Sequence, residues 1–531
     1  MTAAIPDTAM LSPLLWTLVA LQIVMGGVDV IVHHELSERL AWKANAAFEL
    51  RLHAWRNIFY AGLFAAFALM RPAGPLALVL LAVMAAEILI TLWDFVEEDM
   101  TRRLPPTERV IHTLLAINYG AILAFIGPEI ARWATLPPGL SIINYGWGSA
   151  LLIAASAGVL AFALRDFYAS RRAARLVPPA AADVRDLLPA RRHVLVTGGT
   201  GFVGSALVQS LVRAGHDVTV LTRSSANAAH LATPVRLITG LETLPADTRI
   251  EAIVNLAGAP VAGWLWTQSY RREIIDSRLR TIGSIARLIE RLDVKPTVVI
   301  GASAVGFYGD RGDEMLTEAD AGPNTQGGIT PASFSHTSCA SVEQATMKLA
   351  APGVRVVTLR IGLVLGRDGG LLARMLPAFD LAFGGPIGSG TQWMSWIALP
   401  DLVRLIAFAI ATPDLTGAVN ATAPTPVPNA EFARALGTAL GRPAIIPLPA
   451  LPLRLALGDF AQELLLTGQR VLPNKAEAAG FTFTHRELIT ALAELLAGAS
   501  LQHEPLRNRV PAVSVLPQGR DKDAVTPRWM W

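Results

Sequence analysis

The sequence predicts an α/β protein: a doubly wound parallel sheet with a small C-terminal domain, preceded by an all-α transmembrane bundle. Three observations carry this. Residues 11–164 hold five long apolar runs, a strand, glycine turn and helix begin at His193, and strand-like and helix-like segments then alternate to Arg360. That alternation is the pattern of parallel βαβ units.

Composition agrees with a chain partly dissolved in lipid. Of 531 residues 52% are hydrophobic and 16% charged, against about a quarter charged in a typical soluble domain. A net charge of +3 without blocks of like charge gives no sign of a nucleic-acid partner. The single cysteine, Cys339, excludes an internal disulfide, has no metal-binding spacing and fits a reducing compartment.

The apolar runs are roughly 11–32, 55–70, 74–95, 109–127 and 143–164. A spanning helix needs about 20 apolar residues; four runs qualify and the second is marginal. The first run lacks a basic leader and exceeds the apolar length of a signal peptide, so it reads as a retained helix. With five spans, Arg39, Lys43, Arg51, Arg56, Arg102, Arg103 and Arg109 share one side, joined by Arg165, Arg171, Arg172 and Arg175. Only Arg71 and Arg132 lie opposite. The positive-inside rule then predicts an inner-membrane protein with its N-terminus outside and everything after residue 165 in the cytoplasm. The lipid bilayer is its first expected partner. The expected segments are 1–170 (membrane module), 171–192 (an Arg-, Pro- and Ala-rich linker), 193–370 (core), 371–498 (remainder of the core and C-terminal domain) and 499–531 (tail).

This topology gathers His33, His34, Glu49, His53, Asp94, Glu97, Glu108 and His112 at the cytoplasmic boundary. Glu49/His53 and Glu108/His112 are spaced i,i+4, so each pair shares a helix face. Carboxylate and His pairs on neighbouring helices can build a metal site. The plainer reading is a belt of solvated charges with internal ion pairs; docking of the next domain is a third. No metal ligand is assigned from sequence. Asp29 and Glu87 lie deeper, where ionisable groups are costly.

"HVLVTGGTGFVGSALVQSLVRAGHDVTVLTR" is strand, turn, helix, strand. Its glycines serve a tight turn, close backbone approach to a pyrophosphate, and close packing of helix on sheet, and the phosphates sit at the helix N-terminus. Thr197, Gly198, Thr200, Gly201, Phe202, Val203 and Gly204 are the candidates there. Thr222 and Arg223 end the second strand. An acidic residue at that place would select NAD, whereas Arg suits the 2′-phosphate, so NADP(H) is expected. "AIVNLAG", "TVVIGAS" and "VRVVTLR" read as further strands. Ligands in such Rossmann-type sheets bind at the carboxyl ends of strands, which brings Leu256, Ala257, Gly258, Ser303 and Arg360 to one crevice.

"TGGTGFVG", "NLAGAPV", "ASAVGFYGDRGDE", "LRIGLVLGRDGG", "QWMSWI" and "VNATAPTPVPNAEF" together resemble an epimerase-like branch of the extended short-chain dehydrogenase/reductase superfamily, over about 193–492. The resemblance implies a Rossmann core with NADP(H), Thr222 and Arg223 at the 2′-phosphate, and Leu256 and Ala257 along the cofactor. It also implies cofactor-side positions for Glu273 and Arg278 and the superfamily's Ser at Ser303. Counting back from Glu343 puts Ser335 and Cys339 where that superfamily keeps its catalytic Tyr and Lys. Tyr308, His336 and Cys339 are the alternative acid/base candidates, with Ser303 and Tyr308 the catalytic pair expected. Gln392, Trp393 and Trp396 are expected walls of a substrate pocket. Two functions remain open: a membrane-held oxidoreductase or epimerase-like enzyme for a hydrophobic small molecule, or an NADP-occupied sensor or scaffold in envelope or division processes.

Overall fold

The computed structural model describes residues 12–497 apart from 103, 177–180, 262–265 and 324–332. The expected tail, 499–531, and the middle of the expected linker lie outside the described residues.

Five antiparallel helices form the N-terminal bundle: α1 (Pro13–Val28), α2 (Ala47–Leu69), α3 (Pro75–Thr101), α4 (Pro106–Ala134) and α5 (Trp147–Ala173). α1, α3 and α4 each start on Pro, whose missing N–H costs nothing in a first turn. α1 runs on as a π-helix, Asp29–Glu38, ending at Arg39 in the left-handed region (φ 53°). Among the described residues four segments are long and apolar enough to cross a membrane: Pro13–Trp42, Pro75–Thr101, Pro106–Ala134 and Trp147–Ala173. α2 is not among them, since its first half carries Glu49, Arg51, His53 and Arg56. It nevertheless packs along α5. Leu78, Leu89, Leu92 and Ile117 point outward from α3 and α4, a surface suited to lipid rather than water.

The two ends of the bundle differ. One is closed by an antiparallel strand pair, Met70–Ala73 with Gly139–Ile142. At the other, Leu40, Trp42, Leu50 and Ala173 share a core with Leu372, Phe379 and Trp396 of the following domain. Arg172 fixes this junction. It donates to both oxygens of Asp380 at 2.8 and 2.7 Å and lies 3.8 Å over the Trp42 ring.

The polar residues at this junction end are not a solvated belt. Asp29, His33, His34, Glu49, His53, Asp94, Glu98, Glu108 and His112 are all buried. Of the two neighbouring glutamates expected at this boundary, Glu97 makes none of their contacts and Glu98 does. With 3.6 residues per turn, one residue along a helix changes the face.

The second domain is a seven-stranded, all-parallel sheet: β1 (His193–Thr197), β2 (Asp217–Leu221), β3 (Arg236–Ile238), β4 (Ala252–Asn255), β5 (Val298–Ala304), β6 (Arg355–Ile361) and β7 (Gly417–Ala421). The spatial order is β7-β6-β5-β4-β1-β2-β3, doubly wound from β1. Helices α6 (Phe202–Arg213), α7 (Gln268–Arg291), α8 (Phe334–Met347), α9 (Gly370–Asp380) and α10 (Leu399–Ala411) follow in turn. Val194, Leu195, Val196, Ile253, Val254, Val299 and Ile300 are fully covered, which explains their unbroken apolar runs. The C-terminal part adds α11 (Asn429–Leu440), α12 (Ala450–Leu457), α13 (Asp459–Leu464) and a last helix, Leu488–Ala497.

Candidate functional site

The carboxyl ends of β1, β4, β5 and β6 are brought level by register, Thr197 beside Asn255 and Ser303 beside Arg360. After β1 the chain turns at Gly198 (φ +71°), where a Cβ would lie 2.7 Å from the backbone of Leu256. A Cβ on Gly204 would lie 2.1 Å from the Gly198 carbonyl oxygen, so α6 can approach the turn this closely only without one. Gly201 caps α6 with no side chain, leaving the N–H groups of Phe202 and Val203 free of helical partners. Thr200 lies in the turn between. Thr197 Oγ1 donates to Asn255 Oδ1 at 2.6 Å, tying the first turn to the start of the Leu256–Gly258 turn. The Phe202 ring faces away from the phosphate cradle, against Gly366, Gly369 and Gly370. That leaves its backbone N–H, and not its ring, at the turn.

Past β2, Thr222 is buried, donating to Ser224 O at 3.0 Å. Arg223 is exposed and makes no ion pair among the described residues. These groups fit a dinucleotide with a 2′-phosphate: a cradle a Cβ would fill, a helix N-terminus, and a free guanidinium one strand away. Arg278 packs against Gly258, whose Cβ would sit 2.7 Å from the guanidinium carbon. It donates to Ile274 O at 2.7 Å and has no carboxylate partner among the described residues. Burial holds it below its usual value. Glu273, expected on the cofactor side, is exposed and pairs with Arg280 at 2.7 Å.

Ser303, on β5, donates to Glu343 Oε1 at 2.8 Å. Glu343 is gripped on both oxygens by Arg360, at 3.0 and 2.9 Å. Arg360 in turn donates to the Tyr308 hydroxyl at 2.9 Å, which meets Asn420 Oδ1 at 2.8 Å. Burial pushes the Tyr308 hydroxyl up. Its ring is completely covered and stands outside the neighbouring cavity, contrary to its expected reach into the pocket. Sheet and loop close over it because its hydroxyl bridges β6 to β7. His336 is likewise turned away, its Nδ1 2.5 Å from Phe307 O.

The cavity itself, about 1040 Å³ of empty space, lies between the ends of β5 and β6, the start of α8 and the C-terminal part. Ser335, Cys339, Gln392, Trp393 and Glu463 line it. Trp396 does not; it is buried, its Nε1 donating to Thr425 O at 2.9 Å. Burial pushes the Cys339 thiol up, away from a reactive thiolate. Sequence reasoning missed Glu463. From α13 it accepts the N–H groups of Phe334 (3.1 Å) and Ser335 (2.8 Å) and the Ser335 hydroxyl (2.7 Å). It therefore caps α8 at the residue that the resemblance aligns with the catalytic Tyr. Among the described residues the lining holds this one carboxylate and no Lys, Arg or His.

Fold and site together define a dinucleotide-binding domain with a largely apolar cavity at the carboxyl ends of its strands. Residues 194–421 match the NAD dependent epimerase/dehydratase family, and residues 448–495 match a domain of unknown function, DUF1731. The chain belongs to the epimerase family. It is 39% identical over 300 residues to the epimerase family protein Mb2239 of Mycobacterium bovis, covering 56% of this chain and 96% of that one. It is 38% identical over 311 residues to the chloroplastic SDR39U1 homolog of Arabidopsis thaliana, covering 57% and 86%. The crystal structure of human epimerase family protein SDR39U1 with NADPH superposes with a TM-score of 0.51 at 34% identity, covering 57% of this chain and 99% of that one.

Proposed function

We propose that this chain is a membrane-anchored, NADP(H)-binding oxidoreductase or epimerase-like enzyme acting on an uncharged, apolar small molecule. One observation carries the reading: a glycine cradle follows β1, with Arg223 beside it making no ion pair among the described residues, and a largely apolar cavity lies at the ends of β5 and β6 on the same carboxyl edge of the sheet. The NADPH bound to the human relative supports it. The N–H groups of Phe202 and Val203 take the pyrophosphate, Thr222 and Arg223 the 2′-phosphate, and the turn Leu256–Gly258 lies along the cofactor. Arg278 supplies positive charge beside that turn. Bound NADP(H) supplies or accepts a hydride.

Ser335 and Cys339 stand at the old dyad positions and Tyr308 is sealed, so the chain needs another proton-handling group. Glu463 is the one carboxylate on the cavity wall, and its bond with Ser335 Oγ holds a proton within reach of a bound molecule. Among the described residues that lining carries no cation, which favours an uncharged molecule over a pyrophosphate-bearing one, whose charge would go unpaired. Four apolar helices, with α2 packed along α5 as a fifth crossing, support delivery from a membrane, with the N-terminus outside and the nucleotide-binding domain in the cytoplasm. The sealed Tyr308 favours a second reading, a cofactor-occupied sensor or scaffold with little catalysis.

Titration of the detergent-purified chain with NADPH and NADH tests the cofactor assignment. NADPH should bind tighter by roughly tenfold or more, about 1.4 kcal/mol, and Arg223→Asp should remove the difference. Equal affinities in the wild type would sink it.

A further inference from the structure

A second cluster lies outside the cofactor and substrate sites, where the bundle meets the nucleotide-binding domain. The π-helix Asp29–Glu38 brings residues i and i+5 into register, and such helices are rare and frequent at functional sites. Its winding turns Asp29 and His34 toward α3 and α4. Asp29 Oδ2 is 3.1 Å from His112 Nε2 and 3.7 Å from His34 Nε2, and His34 Nε2 is 3.6 Å from Glu108 Oε1. One donor atom from each of Asp29, His34, Glu108 and His112 lies within 4.8 Å of all the others; His34, His53 and Glu98 form a second such group.

The burial of these residues is what demands a partner. Asp29, His34, His53, Glu98, Glu108 and His112 are all at most 9% exposed. Among the described residues His34 Nε2 and both Glu98 oxygens have no hydrogen-bond partner, and His53 Nε2 faces Asp94 Oδ2 at 3.1 Å without forming a well-directed bond. Leaving a buried polar atom unmet costs about 1–3 kcal/mol, more when charged. The local guanidinium groups are spoken for: Arg56 donates to Asp94 at 2.6 Å and Arg102 to Glu49 and Glu108 at 2.9 and 2.7 Å. Among the described residues Asp29 has no guanidinium partner and Glu98 is reached by Arg102 only at 3.5 Å, through the nitrogen that also serves Glu49 and Glu108, so the carboxylates exceed the fixed cations and a divalent ion is their charge complement. A tetrahedral ion with bonds of 2.0–2.1 Å holds its ligand atoms about 3.3 Å apart, close to the spacings found here. Outer contacts orient the ligands as metal sites require: His33 Nδ1 lies 2.8 Å from Asp29 Oδ1 and its Nε2 3.2 Å from Thr107 Oγ1.

We propose that Asp29, His34, Glu108 and His112 hold a divalent transition-metal ion, with Glu98 and His53 alongside, at the head of an intramembrane cavity. That cavity, about 1680 Å³ of empty space, is walled by Phe64, Phe95, Leu123 and Phe162 and reaches Asp29 and His112. A set of imidazoles and carboxylates without thiolate suits Zn²⁺, Fe²⁺ or Mn²⁺ rather than a soft ion.

The test uses the full chain in detergent, stripped with chelator, loaded separately with Zn²⁺, Mn²⁺ and anaerobic Fe²⁺, desalted and assayed by elemental mass spectrometry. The expected result is at least one ion of one of these metals per chain. His112→Ala and the nearly isosteric Asp29→Asn should each weaken retention roughly tenfold or more, with NADPH binding unchanged, while Glu97→Gln retains the metal. Should a variant fail to fold, Co²⁺ titration of the wild type decides, by the visible bands of a protein-bound ion. Metal no higher than a detergent blank with no Co²⁺ bands, or variants that load like the wild type, would overturn the proposal.

Discussion

Glu463 and Tyr308 exchange the roles that sequence suggests for them. Tyr308 stands in a loop directly after Ser303, which makes it look available, yet its hydroxyl closes a buried chain from Glu343 through Arg360 to Asn420. Glu463 lies 128 residues from Ser335 in the chain, and nothing in its local sequence points to the cavity. Only the folded contact does. Glu463→Gln should therefore lower turnover by about 10²-fold or more, the usual worth of a general acid or base, while NADPH titration stays unchanged. Tyr308→Phe should keep turnover within a few-fold and instead cost about 1 kcal/mol in thermal unfolding, the net value of a buried hydrogen bond. A catalytic collapse in Tyr308→Phe with stability intact would reverse the assignment. The glycine cradle was fully legible because each glycine answers a local steric demand. The buried cluster was legible in kind, as His and carboxylate at helix ends, but not in membership: Asp29 enters through a π-helical turn that no apolar period announces.

Among the elements, α10 shows how the C-terminal part is clamped to the sheet. Asp401 in its first turn accepts the N–H groups of Thr484 and His485 at 3.0 and 2.8 Å, with His485 Nδ1 at 3.3 Å. The bond to Asp401 lifts His485 above its ordinary 6.5. Burial opposes charge on Asp401, but its bonds from His485 and Thr484 hold it below its ordinary 3.8. A raised His stabilises fully below its unfolded pKa and loses that as pH rises through the folded one; a depressed Asp stabilises above its unfolded pKa and loses that as pH falls through the folded one. The clamp is thus strongest between 3.8 and 6.5. His485→Gln should cost roughly 1 kcal/mol in thermal unfolding at about pH 5 and much less at about pH 9. A pH-independent cost would mean that the imidazole acts by shape alone. The α and β elements here follow the sequence closely, since long apolar periods decide them. Of the cavity walls, Gln392 and Trp393 follow the sequence too; Glu463 does not, because it arrives from a separate helix, α13, far along the chain.

At the scale of the molecule, the bundle and the nucleotide-binding domain meet at one end, and the strand pair Met70–Ala73 with Gly139–Ile142 closes the other. If the Lys and Arg asymmetry sets orientation, phosphatase or fluorescent-protein fusions at Thr8 and Arg71 should report the outside and a fusion at Arg175 the cytoplasm. Periplasmic activity at Arg175 would reverse the orientation.

α9 touches both worlds. Gly369 and Gly370, where it begins, lie against the Phe202 ring at the phosphate end of α6, and Asp380, where it stops, holds Arg172 of the bundle. Its 11 residues make a strut about 16 Å long, seated at one end on the Phe202 ring of α6 and at the other on Arg172 of the bundle. Such a strut cannot tilt at one seat without moving the other. Loading the nucleotide pocket should accordingly stiffen helices that never touch it, seen as slower proteolysis of the bundle in NADPH. Phe202→Ala, which leaves α6 and its N–H groups in place, should unseat the strut and abolish that protection while NADPH still binds. Protection that survives the change would mean that the two ends move independently.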